Sequence, residues 1–165
     1  MWTLWLGLAL GQEIMQVGPQ GDALRLLVGQ GQNDAEVREA VKHYKLKRGK
    51  GEEAELAGSG VCLDVDALGY IGGVRMQRAD AGDCPGTFTG ELPWRLHWNM
   101  SEAEVQAAMG GGYPREILGE HEIYWRDGSR FVRVELDGDR RLRAVVVDMG
   151  TALNAQEHMG SVVPA

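Results

Sequence analysis

The chain has 165 residues, 44% of them apolar and 25% charged, the balance of a soluble globular protein with one domain or two small lobes. Its net charge of −7, shared by both halves, repels phosphate backbones, so nucleic acid is excluded as the expected ligand and a basic protein partner is favoured. The 24 glycines predict many short elements joined by tight turns.

The N-terminal residues 2–10 form an apolar stretch with no Lys or Arg before it, far too short to span a bilayer. They read as a buried first strand; Ala9-Leu10-Gly11 loosely imitates a cleavage site, so a periplasmic signal remnant is the alternative. Residues 21–31 (GDALRLLVGQG) have the spacing of a short amphipathic helix that stops at Gly. All the lysines (Lys42, Lys45, Lys47 and Lys50) fall in one run, which fits a solvated strand or hairpin edge guarded against sheet-to-sheet aggregation. KHYKLKR, EEAELAG and GVCLDVDALGYIGGVRM follow, the last read as a strand ending in an acidic turn and then another strand. Cys62 and Cys84 make neither a disulfide framework nor a zinc motif. Two inert thiols in a cytosol are expected, with a single bridge the outcome in an oxidising compartment. Residues 77–91 are rich in turn formers and read as a linker.

In the second half, Leu92, Trp94, Leu96 and Trp98 alternate with Pro93, Arg95 and His97, which predicts an extended segment. Pro93 cannot donate to a ladder, so that segment is expected at a sheet edge or just entering a sheet. Ser101 and Glu104 have the spacing of a capping box, and Met100 with Val105 that of a hydrophobic staple. Val105, Ala108 and Met109 then give a narrow apolar stripe, and Gly110 is expected to end the helix in a left-handed turn. The β-rich runs of residues 122–148 are joined by Asp127-Gly128 and Asp137-Gly138, both hairpin signals because a tight turn needs positive φ. A helix followed by a three-stranded antiparallel meander results. Val132, Val134 and Leu136 are expected on one face, Phe131, Arg133 and Glu135 on the other; Leu142, Ala144 and Val146 share the third strand's apolar face.

An internal echo links the halves. GDALRLLVGQG matches EAEVQAAMGGG in spacing, CLDVDALGYIGGVRM resembles RVELDGDRRLRAVVVDM, and a Trp-bearing apolar segment precedes each helix. The expected class is α+β with two tandem lobes, each a short helix or helix pair on an antiparallel meander. The lobes take residues 1–88 (with the linker) and 89–150, and residues 151–165 form a loosely ordered tail.

No constellation of catalytic residues assembles. His43, His97, His121 and His158 lack metal-ligand spacing, and no HExxH or CxxC occurs. His121 between Glu120 and Glu122 reads as a charged loop entering a strand. Gly110-Gly111-Gly112 follows a helix, whereas phosphate cradles precede one. Asp64 and Asp66 fit a solvent-facing strand edge as well as they fit hydrolysis. No enzyme, metal or cofactor is therefore expected. The positive signal is surface. Tyr124, Arg126, Phe131, Arg133, Glu135, Arg141 and Arg143, with Glu116, Glu120, Glu122 and Asp127, are the candidate partner-binding residues, since aromatic and Arg side chains anchor interfaces and acidic ones suit a basic partner.

The stretch LPWRLHWNMSEAEVQAAMGGGYP with EIYWRDGSRFVRVELDGDRRLRAVVV resembles the repeat of the β-lactamase-inhibitor-protein-like and outer-membrane-lipoprotein-like superfamily. There a Gly-Met-Ser/Thr-x-x-Glu-Val helix start, a short helix ending in Gly, and an antiparallel meander recur. Here the helix start reads Asn99-Met100-Ser101 with Val105, so Asn stands for the usual Gly. The resemblance covers residues 91–148 well and residues 4–76 weakly. It implies two layers per lobe, no cofactor and a role as a proteinaceous inhibitor. Small acidic proteins with this repeat also serve as immunity proteins in bacterial polymorphic-toxin systems. With no clear signal peptide or lipobox cysteine, the expectation is a cytoplasmic immunity protein that occludes a cognate toxin, a nuclease-like effector, with neither nucleic acid nor membrane as partner. A secreted or periplasmic enzyme inhibitor or envelope scaffold is the alternative.

Overall fold

The computed structural model describes residues 18–49, 54–82, 84–149 and 161–162. The expected first strand at residues 2–10, Lys50 and most of the tail lie outside the described residues. In chain order the elements are α1 (Gly21–Arg25), α2 (Ala35–His43), β1 (Lys47–Arg48), β2 (Ala54–Gly58), β3 (Val61–Val65), β4 (Ile71–Gln77), α3 (Glu102–Met109), β5 (Tyr113–Ile117), β6 (Glu120–Asp127), β7 (Arg130–Leu136) and β8 (Leu142–Asp148). Two 3-10 turns lie at Ala79–Ala81 and Pro93–Arg95.

The strands form one eight-stranded sheet in the order β1-β2-β3-β4-β8-β7-β6-β5, antiparallel throughout. Each half contributes a four-stranded meander, and their last strands, β4 and β8, pair at the centre with Val74 opposite Val147 and Met76 opposite Val145. The α+β class expected from the sequence holds. The meanders meet edge to edge and share one core. Val61, Leu63, Val74, Met76, Ile123, Trp125, Val132, Val134, Val145 and Val147 cluster with Leu24, Val37, Ala40, Val105 and Met109 of the helices. Each large apolar side chain buried this way contributes roughly 1.5–3 kcal/mol relative to exposure.

A bulge changes the facing of β8. Leu142 pairs with Leu136 and Ala144 with Glu135, leaving Arg143 as the extra residue. Leu142, Val145 and Val147 therefore face the core, and Ala144 and Val146 turn to the opposite face, correcting the simple alternation read from the sequence.

Capping chemistry follows the sequence closely. Ser101 Oγ accepts the Glu104 amide and Glu104 reaches back to the Ser101 amide, the complete capping box. Ser101→Ala is expected to cost about 1 kcal/mol, read as a lower urea midpoint at unchanged slope. Gly110 does carry positive φ, but with φ 91 and ψ 173 it is an extended exit, not the expected left-handed helical turn.

Other local readings need correction. The Leu/Trp alternation of residues 92–98 is not a strand. Pro93 opens a 3-10 turn in which Trp94 (φ 56) and Arg95 (φ 58) are both left-handed. Leu92 and Leu96 are buried because the turn returns them to the core, so the spacing imitates period two. The KHY of the lysine run ends α2, whose Val37, Ala40 and Val41 face inward, a helix the sequence reading passed over. β5 was likewise missed, and the second meander has four strands. The β6–β7 turn uses Gly128 at φ 62, as expected. In the β7–β8 turn, positive φ falls on Arg140 (φ 57), not Gly138; Asp137 Oδ1 shapes the loop by accepting the Asp139 and Arg141 amides, each at 2.9 Å.

The crossover between the meanders is pinned. Cys62 and Cys84 form a disulfide, correcting the expectation of two thiols. Gly60 donates to the Pro85 carbonyl at 2.7 Å, and Phe88, fully buried, donates to the Gln77 carbonyl at 2.8 Å. A Cβ on Gly60 (φ +75) would lie 2.0 Å from the Phe88 nitrogen, so only glycine lets the crossover come this close.

Candidate protein-binding face

The sheet has one face under the helices and a second whose residues are absent from the core cluster. Antiparallel register lays out that second face in rows. Gln77, Ala144, Glu135, Glu122 and Arg115 run across β4, β8, β7, β6 and β5; Arg75, Val146, Arg133, Tyr124 and Tyr113 form the next row. Phe131 and Arg126 lie opposite each other beyond, with the Arg126 guanidinium 5.9 Å from the Phe131 ring centroid.

Ala144 is small, so the long side chains meet above it. Arg75 reaches over β8 to Glu135 in a two-pronged pair, Nη1 to Oε2 at 2.6 Å and Nη2 to Oε1 at 2.9 Å. Arg133 Nη2 donates to Glu135 at 3.2 Å, and Arg143 Nη2 stands 3.8 Å from it. Glu122 and Glu135 are directly opposite and would repel. Arg133 lies between them, its Nε 3.8 Å from Glu122. Arg143 continues the network to Glu120 at 2.5 Å. Burial raises the Glu135 carboxyl, but the Arg75 hydrogen bonds and the charges of Arg75, Arg133 and Arg143 outweigh it and hold the group below the ordinary carboxylate range. Tyr124 is pushed up to about 12 by burial and by the neighbouring Glu122, to which its hydroxyl donates.

Glu120, Glu122, Tyr124, Arg126, Phe131, Arg133, Glu135 and Arg143 therefore share one face. Three expected members do not. Glu116 lies opposite His121 on the helix-side face. Asp127 accepts from Arg25 of α1 at 2.8 Å. Arg141 donates to the Asn99 carbonyl beside the start of α3. Tyr124 and Glu135, expected to be exposed, are 7% and 5% exposed. Arg75, Arg133 and Arg143 converge on the Glu135 carboxylate, and the Tyr124 hydroxyl turns to Glu122. The sequence reading missed Arg75, Gln77 and Ala144. The one local signal was an arginine inside the apolar run GGVRM; its partner sits in the other half, across a pairing no local pattern encodes.

His121 also differs from its reading. It lies within β6, opposite in facing to Glu120 and Glu122, and its Nε2 is 3.2 Å from Glu102 Oε1 of α3. Arg140 Nη1 donates to the other Glu102 oxygen at 3.1 Å. The His121 hydrogen bond, aided by Arg140 and opposed by partial burial, holds the Glu102 carboxyl below its usual range. A depressed carboxyl stabilises the fold fully above its unfolded value, about 4.3, and the contribution vanishes as pH falls through the lower folded value. Stability should thus drop as pH falls through about 4.3 and below, and Glu102→Gln should flatten that drop in urea midpoints measured from pH 7 to pH 3. Asp64 is not on an edge, since β3 lies between β2 and β4, and Asp66 shapes the β3–β4 turn by accepting the Leu68 and Tyr70 amides.

A cleft of about 590 Å³ opens elsewhere, beneath the loop of Phe88, Glu91, Leu92, Arg95, His97 and Trp98. Among the described residues no group of three or more His, Cys, Asp or Glu is placed to hold a metal ion. No helix among them is long and apolar enough to cross a membrane. Compared with known proteins, the chain matches no family model and finds no significant match among curated proteins or solved structures.

Proposed function

We propose that this chain is a protein-binding inhibitor, an immunity-type protein that blocks a cognate toxin with the polar face of β6, β7 and β8. The observation that carries this reading is the asymmetry of the sheet. The helices join the core on one side, while the other side holds a flat network of arginines, glutamates and aromatics. Such side chains, held by neighbours before a partner arrives, lose little freedom on docking. Arg126, Phe131 and Glu120 are the outer members that a partner would meet first. The mirrored strand order about β4 and β8 supports the tandem, inhibitor-like arrangement suggested by the resemblance in residues 91–148.

The disulfide favours the alternative drawn from the sequence, a secreted or periplasmic enzyme inhibitor or envelope scaffold, because such bridges persist in oxidising compartments. The test is to express, with and without this chain, the C-terminal fragment of a large open reading frame adjacent to its gene. Growth arrest by the fragment alone, relieved by this chain and restored by Arg126→Glu with Phe131→Ala, is expected. A harmless fragment, or relief untouched by those substitutions, would overturn the reading.

A further inference from the structure

The glycine run at residues 110–112 adjoins a gap in the sheet edge. β5 pairs with β6 only up to Tyr113 opposite Tyr124, and β6 continues through residues 125–127 without it. The two-residue turn at Leu118 and Gly119 makes Ile117 and Glu120 a mutually hydrogen-bonded pair, so alternation aims the backbone groups of Tyr124 and Arg126 toward the β5 side. At Arg126 that side is taken by residues from far along the chain. Ser161 forms a parallel bridge with Arg126, and the Val162 amide donates to the Arg126 carbonyl at 2.8 Å. The Val162 side chain is partly buried against the core. Glycine clears the notch: a Cβ on Gly112 would lie 2.5 Å from both Ile123 and Trp125. The Trp125 indole holds the run through the Gly110 carbonyl at 2.9 Å.

Among the described residues the hold on this edge is one bridge and one amide bond at Arg126, with Val162 only partly buried; pairing at the rim of a sheet opens locally more readily than pairing at its centre. We propose that the β6 edge at residues 125–127 is a strand-accepting site. Ser161 and Val162 fill it in cis, and an extended segment of a partner protein, with a small residue followed by a β-branched one, replaces them. The proposal rests on the protein-binding reading and gives it a second anchor, because Arg126 presents its side chain to the polar face beside Phe131. An added strand there would continue that face with backbone hydrogen bonds.

The probe is a synthetic peptide of residues 157–165, titrated into isotope-labelled full-length chain carrying Val162→Asp. Displacing the cis segment frees the acceptor, so the peptide should bind this variant about tenfold more tightly than the wild type. Amide shifts should be confined to residues 124–127 and their neighbours, and the same peptide bearing Asp for Val should not bind. In the wild type, the Val162 amide should exchange with solvent much faster than those of Val132 and Val134. A folded Val162→Asp chain whose residues 124–127 ignore the peptide would refute the site. If that variant does not fold, hydrogen exchange on the wild type decides, and a Val162 amide as protected as Val132 refutes it. Neither experiment uses the toxin fragment, so this proposal and the inhibitor reading fail separately.

Discussion

Glu135→Gln is expected to destabilise the fold by about 3 kcal/mol, because removing one partner from a buried ion pair strands the other. The side chains of Arg75 and Glu135 are only 10% and 6% exposed, so solvent offers little screening to what remains. The loss is compounded because Arg133 and Arg143 also face Glu135, leaving their guanidinium charges less compensated beside that of Arg75. Arg75→Met with Glu135→Leu should recover the part lost by stranding Arg75, since a well-packed apolar pair avoids desolvating two charges, while the part owed to Arg133 and Arg143 stays lost. Urea unfolding at pH 7 of the wild type, the single variant and the double variant measures both effects. A single-variant loss below about 1 kcal/mol would place the cluster in the class of exposed surface pairs and would show that water reaches it.

The contrast between what local pattern revealed and what it concealed has a physical basis. The capping box, the inward stripe of α3 and the Val132, Val134 and Leu136 face depend on neighbours within a few residues, and all appear as read. Errors arose where a non-local constraint decides a local conformation. The alternation of Leu92, Trp94, Leu96 and Trp98 satisfies a strand rule, but Pro93 and the demand to return Leu92 and Leu96 to the core produce a 3-10 turn instead. One extra residue at Arg143 reverses the facing of Ala144 and Val146, and no composition signal marks a bulge of this kind. The candidate face was legible in β6 and β7, where hairpin register follows from Asp127 and Gly128. It was not legible in β4, because the pairing of β4 with β8 joins residues about 70 apart in the chain, beyond the reach of turn chemistry. The tight cluster on Glu135 follows from that long-range pairing. This is why residues expected to be exposed, Tyr124 and Glu135, are covered by their own neighbours.

Breaking the bridge between Cys62 and Cys84 is expected to cost about 3 kcal/mol, the chain-entropy value for a loop closed over a separation of 22 residues. The bridge ties the crossover to β3, and its effect extends to the polar face through a continuous chain of contacts. Gln77 Nε2 donates to the Cys84 carbonyl at 2.6 Å, and Gln77 Oε1 accepts from Arg75 Nε at 2.9 Å; Arg75 in turn holds Glu135. Releasing Cys84 therefore loosens the acceptor that orients Arg75. The chain with Cys62→Ala and Cys84→Ala should unfold at a lower urea concentration at pH 7, and the wild type with reductant should match it. Combined with Glu135→Gln, the alanine pair should cost less than the sum of the separate losses by about 0.5–1 kcal/mol, the coupling expected of sites in one hydrogen-bonded network. Strict additivity would mean that Gln77 holds Arg75 without help from the crossover. An unchanged midpoint on reduction would mean that Phe88 and the Gly60 contact alone fix the crossover, and the case for an oxidising compartment would lose its energetic support.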